Sequence, residues 1–298
     1  MARSLRSRAV LAGAVALLGG TALLFTSGAT TPANAGTNNA AGISAPNYVA
    51  LGDSYASGAG LPQQTDAECR RSSQGYAGLL AGHYKARSFK NASCSGATTY
   101  SIWSRQGSKP PQVNALSADT TLVTVTIGGN DIAFADIIKT CALKSFSNPT
   151  GSPCRQYFSS GGTDRLAQRI AKTSPRISAV VSDIKRRSPK ARVVVVGYPS
   201  LVPDNGSRCR PGVPFADGDV SYLRDTTKRL NAMLSSAAAK SGGEYVDTYR
   251  RFVGHDMCQS ASRRYIEPLN PSGGALPAHP HRLGHFAMMA SVVEQLNP

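Results

Sequence analysis

Apolar runs of strand length alternate along this chain with longer stretches that repeat at the helical period. Residues 47–52, 121–127, 192–197 and 243–247 read as strands, with a weaker candidate at 87–93. The run Thr-Leu-Val-Thr-Val-Thr-Ile at 121–127 and Arg-Val-Val-Val-Val-Gly at 192–197 are apolar or β-branched throughout rather than alternating, as expected where both faces of a parallel sheet are covered. Between them, 219–240 places Val220, Leu223, Leu230, Met233, Leu234 and Ala237 near the helical repeat. A second helix is predicted over 163–187, where Pro175 should split or kink it, and a third over 282–296. Strands alternating with helices predict an α/β domain with a central parallel sheet between helical layers. Residues 57–70, 140–162 and 200–218 are rich in Gly, Pro, Ser and Cys and are expected to be long loops.

The first 35 residues stand apart from this pattern. Arg3, Arg6 and Arg8 precede an apolar stretch from Ala9 to Phe25, and Ala33-Asn34-Ala35 offers a small-residue cleavage site before Gly36. That is the layout of a secretory signal peptide, and Gly13, Gly19 and Gly20 argue against a membrane anchor. Residues 36–45 are small and polar and are expected to be a disordered lead-in to one domain over 46–298. No later stretch is apolar for long enough to cross a membrane.

All six cysteines lie beyond the leader, which in an exported chain argues for three disulfides. Six cysteines allow 15 pairings. Sequential pairing closes short local loops and makes Cys69–Cys94, Cys141–Cys154 and Cys209–Cys258 the favoured set. No Cys-x-x-Cys spacing suggests zinc. The formal charge is +16, of which three units belong to the leader arginines. The basic residues are scattered, as in Arg70-Arg71, Lys185-Arg186-Arg187 and Arg250-Arg251, with no groove-reading motif, so nucleic acid is not expected as a partner. An anionic lipid or a cell-wall polymer suits an exported basic protein better, and solubility alone accounts for such a charge more simply still.

Four short blocks carry the candidate chemistry. Strand 47–52 stops at Gly52-Asp53-Ser54, which puts a hydroxyl at a strand-to-helix bend, either as a helix cap or as a nucleophile. Gly96 follows the weaker strand and could present a bare N–H to a ligand. At Gly128-Gly129-Asn130-Asp131 the Asn130 amide either caps a helix over 131–139 or donates to an oxyanion. Lastly, His279-Pro280-His281 and His285 place three of the five histidines within seven residues. A metal site is poorly served, since no carboxylate sits in the cluster. His279 as a general base, with His281 and His285 packing or capping, fits better.

In this order the blocks resemble those of the SGNH, or GDSL-type, hydrolases, named for Ser, Gly, Asn and His. The resemblance runs from Tyr48 to about Met289. It is nearest to the exported bacterial lipases, esterases and phospholipases, which carry three sequential disulfides and an element like Gly254-His255-Asp256-Met257-Cys258. It implies a flavodoxin-like three-layer α/β/α domain with Ser54 attacking an ester carbonyl and His279 shuttling the proton. The oxyanion would be held by the N–H of Ser54, the N–H of Gly96 and the side-chain amide of Asn130. Asp53 and Asp131 read as local structure.

One position departs from the family pattern: Leu276 stands where an aspartate usually precedes the histidine by three. A Ser54–His279 dyad is therefore expected, with the imidazole oriented by the Leu276 backbone carbonyl, unless Asp247 or Asp256 reaches in to complete a triad. No cofactor and no metal are implied. The expected substrate is a lipid or other acyl ester, with Tyr55 to Leu61 bordering an acyl groove, and a monomer is expected. The rivals are a polysaccharide deacetylase, against which the single Trp103 argues mildly, a metal-dependent hydrolase, and a non-catalytic lipid- or carbohydrate-binding module.

Overall fold

The five strands that form the main sheet all run parallel. The computed structural model describes residues 43–297; the leader and most of the lead-in lie outside that range. In chain order the elements are β1 (Asn47–Gly52), α1 (Ser54–Ser57), β2 (Gln64–Asp66), β3 (Arg71–Ser72), α2 (Tyr76–His83), β4 (Ser88–Asn91) and β5 (Leu122–Thr126). They continue with α3 (Phe134–Ser145), α4 (Pro153–Ser159), α5 (Arg165–Arg187), β6 (Arg192–Val196), α6 (Asp217–Lys240), β7 (Glu244–Val246) and α7 (Arg282–Leu296). The sheet order is β4-β1-β5-β6-β7, while β2 and β3 make a separate two-stranded antiparallel ribbon. The first strand thus sits between the second and third of the sheet, the flavodoxin-like order, and its switch point falls between β1 and β5.

The middle strands are fully buried, with β5 closed to solvent at all five residues and β6 at four of five. Their β-branched side chains meet helices on both faces, α2 packing with α7 and α5 with α6. On one face Thr124 and Thr126 bond the hydroxyls of Tyr48 and Tyr76 at 2.7 and 2.9 Å. Helix α5 is a single unbroken element despite Pro175. Proline removes one N–H, but Leu166, Ile170, Thr173, Ile177, Val180, Val181 and Ile184 stay buried along one stripe, and that burial outweighs one lost bond.

One expected loop is largely helix. Much of the 140–162 segment is the second half of α3 and all of α4, joined by Cys141–Cys154; Cys69–Cys94 and Cys209–Cys258 close the other two bridges. The Gly and Pro content that suggested loop there is used at helix ends, with Pro153 at the start of α4. Helix α3 also begins three residues later than expected, at Phe134, because Asn130 to Ala133 form a tight turn that ends with Ala133 at φ 60°.

The glycine that closes β1 is required by shape. Gly52 has φ 132°, and a Cβ there would lie 2.2 Å from the Thr126 carbonyl oxygen of β5. Both the backbone conformation and the approach of the neighbouring strand exclude a side chain. Gly52→Ala is expected to lower unfolding free energy by about 2–4 kcal/mol, read by denaturant titration of the purified protein. A wild-type midpoint would contradict the close approach.

Candidate active site

At the carboxyl ends of β1 and β5 two turns face each other across the switch point, and the loop before α7 closes over them. The cap of α1 is Asp53, whose Oδ1 accepts the Tyr55 N–H at 2.9 Å. Capping is therefore done by the residue before Ser54, and the Ser54 hydroxyl is left for other work. It lies 2.7 Å from His279 Nε2. The other ring nitrogen, Nδ1, is 2.7 Å from the carbonyl oxygen of Pro277. A carbonyl only accepts, so Nδ1 carries the proton and Nε2 is free to accept from Ser54 Oγ.

The orienting carbonyl is thus that of Pro277 rather than Leu276. Leu276 O accepts the backbone N–H of His279 at 3.1 Å, closing a turn in which Ala278 adopts φ 58°. Proline at the second position and a positive φ at the third is the type II pattern. The turn consumes the Leu276 carbonyl, and the Pro277 carbonyl is left to meet the ring. Neither alternative carboxylate is involved: Asp256 accepts from Cys258 N–H and Gln259, and Asp247 from Tyr249 N–H.

Burial holds the imidazole below its ordinary pKa of 6.5, and the nearby Arg70 adds to this while the Pro277 carbonyl opposes it. His279 is therefore neutral at pH 7. The other two histidines of the cluster point elsewhere. His281 Nδ1 caps α7 by accepting from Leu283 N–H, and its Nε2 donates to Arg264 O. His285 is buried, accepts the Tyr76 N–H, and is pushed down to about 3 by that burial.

Asn130 does not cap a helix. Its Nδ2 donates to the Ala97 carbonyl at 2.9 Å, which fixes the amide plane and leaves the second N–H unused. The backbone N–H groups of Ser54 and Gly96 have no acceptor among the described residues. Gly96, at φ 82°, belongs to the same loop as Ala97, and Asp131 anchors that loop by accepting from Thr99 N–H at 2.9 Å and from the Thr99 hydroxyl. Arg176 supports Asp131 at 3.2 Å.

Two tyrosines tie these turns together, and one of them, Tyr198, was passed over in the sequence reading. Tyr198, just past β6, accepts the Gly129 N–H at 2.8 Å and donates to Asp53 Oδ2 at 2.5 Å. Burial pushes the Asp53 carboxyl up to about 7 against the pull of that hydroxyl and of Tyr55 N–H. Tyr55 donates to the Ala278 carbonyl at 2.6 Å, and its ring lies 4.8 Å from the imidazole. The available signal was position: Gly197-Tyr198-Pro199 follows a strand at the crevice end of the sheet.

A cavity of about 380 Å³ opens beside Ser54 and His279. Its far wall is apolar, formed by Phe134, Ile138, Ala142 and Leu143 of α3, Leu201, Leu230 of α6, and Leu269. Of the 55–61 segment only Tyr55 lines it. The segment is buried almost throughout and instead supports the histidine loop, with Ala59 O accepting from Leu276 N–H.

Comparison with known proteins identifies the family of the chain. Residues 50–287 match the GDSL-like Lipase/Acylhydrolase family. The chain is 35% identical to Lipase 2 of Streptomyces coelicolor over 256 residues, covering 84% of this chain and 85% of that protein. The crystal structure of phospholipase A1 from Streptomyces albidoflavus NA297 is similar with a TM-score of 0.69 and 31% identity, covering 86% of this chain and all of that one. The extracellular lipase of Streptomyces rimosus gives 0.69 and 29%, over 85% of this chain and all of its own. The chain belongs to the GDSL-like lipase/acylhydrolase family and is a carboxylic ester hydrolase.

Proposed function

We propose that this protein is an exported lipid acyl-ester hydrolase of the lipase or phospholipase A type, working through a Ser54–His279 dyad. The observation that carries the reading is the 2.7 Å contact between Ser54 Oγ and His279 Nε2 at the mouth of an apolar cavity. Ser54 Oγ attacks the ester carbonyl carbon while His279 Nε2 takes its proton. Negative charge gathers on the former carbonyl oxygen, where the N–H groups of Ser54 and Gly96 and the free N–H of Asn130 receive it. Collapse breaks the bond to the alcohol oxygen, which leaves with the proton from His279. Water then repeats the sequence on the acyl-serine, returning the proton to Ser54 and releasing a carboxylic acid.

A neutral carbonyl at Nδ1 fixes the tautomer but stabilises imidazolium less than a carboxylate does. Together with burial, that favours the neutral base. Only the neutral ring accepts a proton, so activity should fall as pH drops through the His279 pKa, which lies below 6.5. The acid limb of the kcat/KM profile is expected at a midpoint below pH 6.5; a midpoint above 7 would contradict the burial argument.

An apolar wall suits an acyl chain longer than acetyl. Hydrolysis of esters of increasing acyl length by the protein from residue 36 onward, with phospholipid vesicles alongside and Ser54→Ala as control, tests the substrate. Preference for medium or long chains is expected. Attack on acetyl esters alone would replace this reading by deacetylation. Export is supported by the leader at 1–35, the three disulfides and the similarity to an extracellular lipase.

A further inference from the structure

The outer end of α3 carries apolar side chains into solvent beside the cavity mouth. Leu143 is 60% exposed and Phe146, just past the helix end, is 75% exposed, the highest exposure of any large apolar side chain among the described residues. Lys139, Leu143 and Phe146 stand at spacings of four and three, so they form one stripe. Phe146 shares a shallow hollow with Pro149, Arg210, Pro211 and Pro214. Leu143 and Lys139 also line the cavity that ends at Ser54, so the stripe is continuous with it.

Three cations lie on or beside this end of α3: Lys139 in the stripe, Lys144 next to Leu143 in sequence, and Arg210 in the hollow with Phe146. Lys139 and Arg210 are exposed, Lys144 is half-buried against the Tyr157 ring, and none has a carboxylate within 4 Å among the described residues. Asp136 is the one acid of α3. Cys141–Cys154 ties this end of α3 to α4, holding the stripe in place.

The geometry points to this stripe as the docking surface for an anionic phospholipid layer, with Phe146 and Leu143 entering the acyl boundary and Lys139, Lys144 and Arg210 meeting the phosphates. Apolar groups next to cations match that boundary in both layers. A lipid leaving the layer there would pass its acyl chain along Leu143 into the cavity without crossing water. This deepens the lipid-ester reading and rests on it for its purpose, but binding is measurable without turnover.

The test is co-sedimentation with vesicles of ether-linked phosphatidylcholine, with and without ether-linked phosphatidylglycerol, which no esterase can cleave. Wild type is expected to bind the phosphatidylglycerol vesicles and to release at high salt. Phe146→Ser is expected to weaken partitioning about tenfold. Lys144→Gln with Arg210→Gln is expected to abolish the preference for phosphatidylglycerol while both variants hydrolyse a short soluble ester at the wild-type rate. Unchanged binding by both variants, or no vesicle binding by wild type, overturns the proposal. So does a dimer in sedimentation that Phe146→Ser converts to monomer, since the stripe would then cover a second copy. Loss of all ester turnover with binding intact would overturn the enzymatic reading and leave the docking surface standing.

Discussion

Ser54→Ala is expected to lower kcat/KM for a soluble ester by about 10⁴-fold or more, with the unfolding midpoint close to wild type. The fold should tolerate the change because Ser54 supplies no cap and no buried bond other than the one to His279: Asp53 caps α1, and Tyr198 and Tyr55 hold the surrounding turns. His279→Ala should cost a similar amount, since without a base the Ser54 hydroxyl stays protonated and weakly nucleophilic. The decisive result is the double variant. If the two groups act as one unit, removing both costs little more than removing either; losses that multiply would mean that each works separately and that the 2.7 Å contact is incidental. Burst kinetics with a chromogenic ester add a second check, because only wild type should accumulate an acyl-serine.

Much of this arrangement was legible before the fold, for a physical reason. Buried parallel strands must be apolar on both faces, so 121–127 and 192–197 announced themselves, and residues at their carboxyl ends fall at a crevice by topology alone. The blocks at Ser54, Gly96, Asn130 and His279 are local and each carries its own turn chemistry. What stayed hidden depends on three-dimensional proximity or on unusual backbone. Helix α2, Tyr76–His83, is small-residue-rich and carries no apolar stripe. Tyr198 acts on Gly129 and Asp53 from positions 69 and 145 residues away in sequence. The choice of Pro277 over Leu276 turns on a positive φ at Ala278, a conformation that an alanine gives no hint of adopting. The apolar wall of the cavity was missed because the glycine and proline content around residues 147–153 masked the helical repeat that continues through Cys141, Ala142 and Leu143.

Asn130→Ala is expected to reduce kcat about 10²–10³-fold while leaving KM within a few-fold. The asymmetry follows from when the interaction forms. In the proposed mechanism the free N–H of Asn130 meets little charge in the ground-state ester and a full oxyanion in the tetrahedral intermediate, so its loss should raise the barrier more than it weakens binding. The variant also loses the bond to Ala97 O, which contributes about 1 kcal/mol to stability. That loss should not displace Gly96, because Asp131 grips the same loop at Thr99 and is itself held by Arg176. The two roles therefore separate by experiment. Asn130→Asp replaces the donor with an acceptor and adds negative charge facing the developing oxyanion, so it should be at least as inactive as alanine. A kcat drop matched by an equal rise in KM would assign Asn130 to substrate binding, and a large fall in midpoint with activity retained in the folded fraction would assign it to loop structure. A selective kcat loss, with weakened inhibition by a boronic acid that mimics the tetrahedral adduct, is the outcome that an oxyanion donor requires.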